Sequence, residues 1–281
     1  MVDLKSKISS SLAFLSPFYS ETPGIAVVLG SGLGRVVSAF PPLQVIPTDE
    51  IPHYPRSSVP GHKGRWVFSR IDEMLCLFVQ GRTHFYEGYP LSVITYPIHL
   101  LASMGIKTLI LTTASGGVNP EFKPGDLMII RDHINFAFNN PLIGDGKNQL
   151  GPRFPDMSEP YDQELINLAL KSGKRSNVDF RQGIFCWVSG PNYETASEVR
   201  MLKMLGVDAV SMSTVPEVII AAQRHLRVLG ISLITNLSTG LTDSILTHRE
   251  VTERANLAVV QLELFLKTFV KLYNISTGTH D

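Results

Sequence analysis

Short apolar runs alternate with helical patterns along most of this 281-residue chain, and this alternation constrains its fold more than any other feature. The runs are bounded by Gly, Pro or polar turns, which is typical of strands buried on both faces. Such alternation predicts an α/β fold with a mixed, mostly parallel β-sheet flanked by helices on both sides. The predicted strands are Ile25–Leu29, Trp66–Ser69, Met74–Val79, Thr108–Thr112, Leu127–Ile130, Gly183–Val188, Ala209–Met212 and Ser232–Thr235.

Helical periodicity fills the intervals between these runs. No Pro/Ser-rich linker, low-complexity segment or internal repeat divides the chain, so we predict a single domain over residues 1–281. Two long stretches, Pro41–Lys63 and Phe136–Pro160, are predicted as loops that serve as site lids or subunit contacts. The predicted helices are Ser92–Met104, Pro160–Ser172, Ser197–Leu205, Val215–Leu226 and Thr247–Leu272.

Composition excludes several classes of partner. Lys plus Arg equals Asp plus Glu at 25 each, whereas a nucleic-acid surface needs a basic excess. Met1–Ser11 lacks the apolar core of a signal peptide, and no apolar run approaches a membrane span. Cys76 and Cys186 lie in apolar runs and are interpreted as buried hydrophobes. We expect a cytoplasmic protein without nucleic-acid or membrane partners.

Three segments far apart in the chain carry anion-binding groups at predicted strand ends. Ser31 lies in the Gly-rich turn that follows the first strand. Arg82 and His84 follow the strand Met74–Val79, and alternation along an extended loop would direct both side chains the same way. Ser213 precedes a helix predicted to begin near Pro216, whose positive end favours an anion. Together the segments predict a site for a small dianion.

Each segment also has a plainer interpretation. The turn resembles a dinucleotide fingerprint, but Arg35 occupies the position where that pattern requires glycine. A tight turn without a ligand, an ion pair between His84 and Glu87, and an ordinary helix cap at Ser213 each remain possible for one segment alone. The pattern includes no HExxH, CxxC or carboxylate cluster, so we predict no metal and no cofactor.

A second group of residues suits a heterocyclic base. Glu194 lies just before a helix opened by a Thr195–Glu198 capping box, and we expect the helix start to stabilise its anion, which accepts hydrogen bonds. Tyr193 offers an aromatic face for stacking. Asn236 ends a strand, and its amide can bond two ring groups at once. His248, at the start of the last helix, is expected to be neutral and to suit a hydroxyl.

These segments closely resemble the trimeric purine nucleoside phosphorylases, in the same order along nearly the whole chain. Further matching motifs are Thr113–Pro120, Arg153–Ser158 and Ser213–Glu217. The resemblance implies reversible phosphorolysis of 6-oxopurine (deoxy)ribonucleosides such as inosine and guanosine. The products would be the purine base and (deoxy)ribose 1-phosphate, with inorganic phosphate as co-substrate.

The resemblance also implies a role for each site residue, and a homotrimer. His84, Glu194 and Asn236 would act in catalysis. Thr113 and Leu150 depart from the family pattern, which has Asn at the first position and an aromatic residue from the neighbouring protomer at the second. The implied phosphate ligands are Ser31, His62, Arg82, His84, Ala114 and Ser213; the purine contacts are Tyr193, Glu194 and Asn236; and the ribose contacts are Tyr86, Met212 and His248.

Three other functions compete with this one. The 5′-methylthioadenosine phosphorylases share the fold and phosphate site, but they carry an acidic residue where this chain has Asn236. A purine-binding protein without turnover would not need Arg82, His84 and Ser213 together. A nicotinamide dehydrogenase is supported by the glycine turn alone.

Overall fold

A computed structural model describes residues 3–59, 63–144, 150–241 and 248–277, with only the backbone described for 248–256. Nine strands among these residues form one sheet, in the order β2-β3-β4-β1-β5-β8-β7-β6-β9. They are β1 (Ile25–Leu29), β2 (Pro42–Pro47), β3 (Arg65–Ile71), β4 (Met74–Gln80), β5 (Thr108–Gly117), β6 (Leu127–Asn135), β7 (Phe180–Trp187), β8 (Ala209–Ser211) and β9 (Arg227–Leu237).

The sheet is mixed, as predicted. Five of the nine strand pairings are parallel, and β2–β3, β3–β4, β5–β8 and β6–β9 are antiparallel. Strand β9 pairs with β5 as well as β6, so β5, β8, β7, β6 and β9 close into a ring. The ring brings the carboxyl ends of β5 and β9 together, with Gly116 opposite Asn236.

Helices cover the sheet in two groups. α3 contacts both α1 and α6, and α4 packs against α7. The described helices are α1 (Leu4–Leu15), α2 (Leu91–Ile94), α3 (Tyr96–Ser103), α4 (Gln163–Ser176), α5 (Ala196–Met204), α6 (Val215–Gln223) and α7 (His248–Thr277). One hydrophobic core extends from Ile8 in α1 to Tyr273 in α7.

Most predicted elements are confirmed, and the differences have physical causes. The helix predicted over Ser92–Met104 is two helices that meet at Thr95. Pro97 has no backbone N–H, so the helical hydrogen bonds are interrupted there. Helix α4 begins at Gln163 because the Asp162 side chain caps it by accepting from Leu165 N at 2.9 Å.

Two elements were not predicted. Strand β2 lies inside the predicted loop Pro41–Lys63, at the edge of the sheet, where proline is tolerated because one side of the strand needs no amide. Helix α1 lies in the polar N-terminal stretch, and only Ile8, Ser11 and Leu15 of it are buried. None of the helices in the described ranges is long and apolar enough to cross a membrane.

Candidate functional site

A cavity of about 620 Å³ opens where β5, β8 and β9 end, and it gathers residues from six separate parts of the chain. Ten of the twelve predicted site residues line it. The other two are His62, which lies outside the described residues, and His248, whose backbone begins α7 and whose side chain is not described. The ten lining residues are Ser31, Arg82, His84, Tyr86, Ala114, Tyr193, Glu194, Met212, Ser213 and Asn236.

Arg82 reaches the cavity from the loop after β4, and 7% of it is exposed. Its Nη1 donates to Ser213 Oγ at 3.1 Å and to Thr214 Oγ1 at 3.3 Å. A buried guanidinium presents forked donors that match the oxygens of a phosphate. Residues 131 positions apart in the chain therefore form one cationic, donor-rich wall.

The segment that carries Ser213 is strained. Thr214 has φ 76° and ψ −52°, and Val215 N donates to Ser213 O at 2.9 Å, so Thr214 is the centre of a classical γ-turn. This conformation is costly for a β-branched residue, and such strain concentrates at functional sites. Helix α6 begins at the next residue with Pro216 in its first turn, as predicted, and its positive end faces the turn.

Thr113 supports the same wall. Its hydroxyl lies 2.9 Å from Ser213 Oγ, and both residues are buried. On the adjoining side, Ser211 Oγ donates to Ala114 O at 2.7 Å. Threonine at position 113, where the family pattern has asparagine, therefore provides a hydroxyl that positions Ser213. Ser211 holds the Ala114 carbonyl.

His84 is held by Glu87, so a contact with Glu87, which was the alternative to the site interpretation, exists together with the site. Glu87 Oε1 accepts from His84 N at 2.7 Å and lies 3.3 Å from His84 Nδ1. Its Oε2 accepts from Ser58 N at 2.6 Å and Ser58 Oγ at 2.8 Å. Burial raises the pKa of Glu87, but these donors outweigh it and lower the pKa overall. Tyr86 stacks on the His84 ring with centroids 4.8 Å apart.

The glycine turn approaches β5 closely. A Cβ on Gly30 would lie 2.7 Å from Thr112 O, and Gly30 N donates to Thr112 Oγ1 at 3.1 Å. Gly32 has φ +78°, the left-handed conformation that favours glycine. Glycine at these two positions lets the backbone pass over β5 and leaves Ser31 at the cavity wall.

The opposite end of the cavity is more open. Tyr193 is 80% exposed, and Glu194 is half-buried beside it. Asn236 Oδ1 accepts from Thr235 Oγ1 at 2.8 Å, and its Nδ2 donates to Leu237 O at 3.1 Å. These bonds orient the amide at the carboxyl end of β9 and leave the second Nδ2 hydrogen for a ligand.

The prediction that Glu194 is stabilised as the anion was wrong, because its pKa is raised. The predicted capping box of Thr195 and Glu198 is present, but burial raises the pKa of Glu194 and the nearby Glu198 carboxylate raises it further. Desolvation disfavours the charged form more than the helix start favours it. Glu194 therefore holds its proton to a higher pH than an ordinary glutamate.

Sequence reasoning missed three supporting residues. Glu87 was considered only as an alternative to the site, Thr235 was given no role, and Glu217 was part of a motif without a function. A carboxylate three residues after His84 was the one available signal for Glu87.

Leu150 is partly buried and packs against the core of its own chain. Among the described residues, no group of three His, Cys, Asp or Glu side chains could hold a metal ion.

Sequence similarity assigns the chain to a known protein family. A family model for the phosphorylase superfamily matches residues 24–271. The chain belongs to this family. It is 46% identical to purine nucleoside phosphorylase 1 of Bacillus subtilis (strain 168), over 89% of this chain and 92% of that protein. It is 42% identical to the Bos taurus purine nucleoside phosphorylase, over 92% of each chain.

Two solved structures of purine nucleoside phosphorylases match this chain over nearly its whole length. The Schistosoma mansoni purine nucleoside phosphorylase in complex with adenosine has a TM-score of 0.88 at 31% identity, and the match covers 96% of this chain and 98% of that one. A Schistosoma complex with hypoxanthine gives 0.87 at 32% identity, with the same coverage.

Proposed function

We propose that this chain catalyses the reversible phosphorolysis of 6-oxopurine ribonucleosides and deoxyribonucleosides, inosine and guanosine among them. Membership of the phosphorylase superfamily and relatives 42–46% identical establish a purine nucleoside phosphorylase activity. The observation that carries the proposal for this chain is one cavity with a buried Arg82–Ser213 wall at one end and Glu194 with Asn236 at the other.

Phosphate binds at the arginine wall. Arg82 and Ser213 already converge there, and His84 is held at the same wall by Glu87. Donors fixed in place before the anion arrives need no reorganisation during the reaction. The complete set of phosphate ligands in the proposal is Ser31, His62, Arg82, His84, the backbone of Ala114, and Ser213.

The nucleoside spans the rest of the cavity. Tyr193 stacks on the purine, Glu194 accepts from its N1–H, and Asn236 bonds N7 and O6. Tyr86 and Met212 flank the ribose, and His248 bonds its 5′-hydroxyl. The sugar then lies between the bound phosphate and the base, which is the arrangement that direct displacement requires.

Cleavage of the N-glycosidic bond places positive charge on the sugar and negative charge on the purine. The bound phosphate stabilises the oxocarbenium-like sugar and attacks its anomeric carbon. Asn236 donates to N7 as the base takes up the bonding electrons, and this interaction is stronger in the transition state than in the substrate. No covalent enzyme intermediate and no cofactor take part in this scheme.

The preference for a 6-oxo group rests on hydrogen-bond polarity. An ionised Glu194 only accepts, which matches the N1–H of inosine and guanosine, whereas N1 of adenosine is itself an acceptor. Adenosine is the second candidate substrate, because a similar structure holds adenosine and because the pKa of Glu194 is raised. A homotrimer is part of the proposal, with the segment around Leu150 completing the site of an adjacent protomer.

Base release from inosine, guanosine and adenosine, each with and without phosphate, tests the proposal. We expect the first two to be cleaved only when phosphate is present, with adenosine much slower. Phosphate-independent release would mean a hydrolase and would contradict the assignment of the arginine wall. Turnover of adenosine alone would contradict the 6-oxo preference.

A further inference from the structure

A buried carboxylate lies directly behind the arginine of the cavity wall. Glu217 is in the first turn of α6 and is 7% exposed. Its Oε1 is 3.5 Å from Arg82 Nε. Glu217 borders two small internal cavities that it shares with Arg82, and the residues that line the main cavity include Arg82 but not Glu217. The carboxylate therefore contacts the arginine from the side away from the substrate.

This arrangement is poor as a purely stabilising contact. Glu217 Oε2 is buried and has no hydrogen-bond partner among the described residues. Burial raises the pKa of Glu217, while Arg82 and the backbone amide of Thr214 lower it. A buried ion pair with an unsatisfied oxygen is weak evidence for stability, since an apolar pair of similar volume is often as stable. The contact of Glu217 with Arg82 is therefore better explained by a role at the site than by a contribution to stability.

The geometry of the guanidinium indicates that role. With Nε 3.5 Å from Glu217 Oε1, the rigid plane of the guanidinium places Nη1 within hydrogen-bonding distance of Ser213 and Thr214. A long side chain loses rotational freedom when a buried opposite charge lies beside its head group. The carboxylate therefore helps to fix the plane of the guanidinium.

Glu217 also lies next to the strained turn. Thr214, the centre of the γ-turn, immediately precedes α6, and Glu217 is in the first turn of that helix. Arg82, Ser213, Thr214 and Glu217 line one small cavity. One side chain therefore borders both parts of the wall, the arginine and the turn that presents Ser213.

We propose that Glu217 is a positioning residue for phosphate, which holds Arg82 in the geometry that receives the anion. The inference rests on the proposed phosphorolysis and adds a residue that does not touch the substrate. Because Glu217 acts through Arg82, its loss affects the phosphate end of the cavity and leaves the binding of the base intact.

The test compares Glu217→Ala and Glu217→Gln with the unaltered protein. The amide keeps an acceptor for Arg82 Nε, and alanine keeps none. We expect the KM for phosphate to rise about tenfold or more in Glu217→Ala and only a few-fold in Glu217→Gln. The KM for inosine and the Kd for free hypoxanthine should stay within about twofold in both variants.

Glu164→Ala is the matched control. Glu164 is also in the first turn of a helix and also pairs with an arginine, Arg227, at 2.7 Å, but it does not line the cavity. Its loss should leave both KM values unchanged. Circular dichroism and thermal unfolding of each variant separate a lost fold from a lost contact.

Three results would overturn the inference: an unchanged phosphate KM in folded Glu217→Ala, an equal rise of the phosphate and inosine KM values, or a Glu217→Gln that is as impaired as the alanine variant. If Glu217→Ala does not fold, Glu217→Gln decides, since an unchanged phosphate KM there also contradicts the role. Failure of the proposed function is distinguishable, because the unaltered protein would then show no saturation by phosphate at all.

Discussion

At one end of the cavity Arg82, Thr113 and Ser213 are buried and bonded to one another across the sheet, whereas at the other end Tyr193 is 80% exposed and Asn236 bonds to its chain neighbours. We refer to these as the arginine end (Arg82, Thr113 and Ser213) and the tyrosine end (Tyr193, Glu194 and Asn236). The first is cross-linked by side-chain contacts between distant segments, whereas the hydrogen bonds of Asn236 in the second are to residues next to it in the chain.

The difference indicates how each end works. Charged donors that are buried and held in place before binding give an anion site that is preorganised. An exposed aromatic ring and a half-buried carboxylate leave room to adapt to different bases. We therefore expect substitutions at the arginine end to cause large losses of phosphate-dependent turnover. Substitutions at the tyrosine end should change which purine nucleoside is used.

Arg82→Ala should give the largest effect. Removal of the guanidinium takes away the main cation of the arginine end, and we expect kcat/KM for inosine phosphorolysis to fall roughly 10³-fold. Isothermal titration should show hypoxanthine binding within a few-fold of the unaltered protein. Equal losses in base binding and turnover would show that the two ends are not separate.

Asn236→Ala should be the next largest. Loss of the donor to purine N7 removes an interaction made mainly in the transition state, and we expect kcat for inosine to fall roughly 10²-fold with a smaller change in KM. Asn236→Asp should in addition shift the ratio of adenosine to guanosine turnover towards adenosine. An unchanged ratio in the aspartate variant would contradict the role of Asn236 at the 6-position.

Thr113→Val tests the cross-link within the arginine end. The isosteric change removes the hydroxyl 2.9 Å from Ser213 Oγ, and we expect the phosphate KM to rise roughly fivefold with the inosine KM unaltered. Thr113→Ser keeps the hydroxyl and serves as the control. If valine and serine variants behave alike, Thr113 does not orient Ser213.

The smallest predicted effect is a pH dependence of selectivity at the tyrosine end. Burial raises the pKa of Glu194 above the usual 4.5, so as the pH falls the carboxyl becomes protonated earlier than in an ordinary glutamate. The acid then donates, which suits N1 of adenosine and opposes the N1–H of inosine.

Turnover measured as a function of pH checks this prediction. We expect kcat/KM for inosine to fall on the acid side above pH 4.5 and the adenosine-to-inosine ratio to rise a few-fold over the same interval. Glu194→Gln is the control, because its amide does not titrate there. A ratio that changes equally with pH in both proteins would assign the effect to another group.

Local sequence patterns were sufficient for most of the fold. Apolar runs and caps located the strands and the starts of α5 and α6, since these signals lie within a few residues of each element. Strand β2 was missed because its prolines are acceptable only at a sheet edge, and an edge is a property of the assembled sheet. The break within Ser92–Met104 was missed although Pro97, a residue that signals an end or a kink in a helix, is visible in the sequence.

The candidate site was less accessible to local reasoning. Single segments indicated an anion or a base, and the family resemblance joined them. The contact of Arg82 with Ser213 depends on how strands distant in sequence are ordered. The charge of Glu194 was predicted in the wrong direction because burial, which sequence does not show, outweighs the helix start. Glu217 gave no signal beyond its place in a motif.

The most direct test of the central claim, that phosphate bound at the arginine end attacks the sugar, is identification of the sugar product. Inosine and inorganic phosphate are incubated with the protein, and the products are quantified by mass spectrometry against the hypoxanthine released. We predict one ribose 1-phosphate for each hypoxanthine and no free ribose. Free ribose in amounts equal to hypoxanthine would show that water is the nucleophile and would contradict the account.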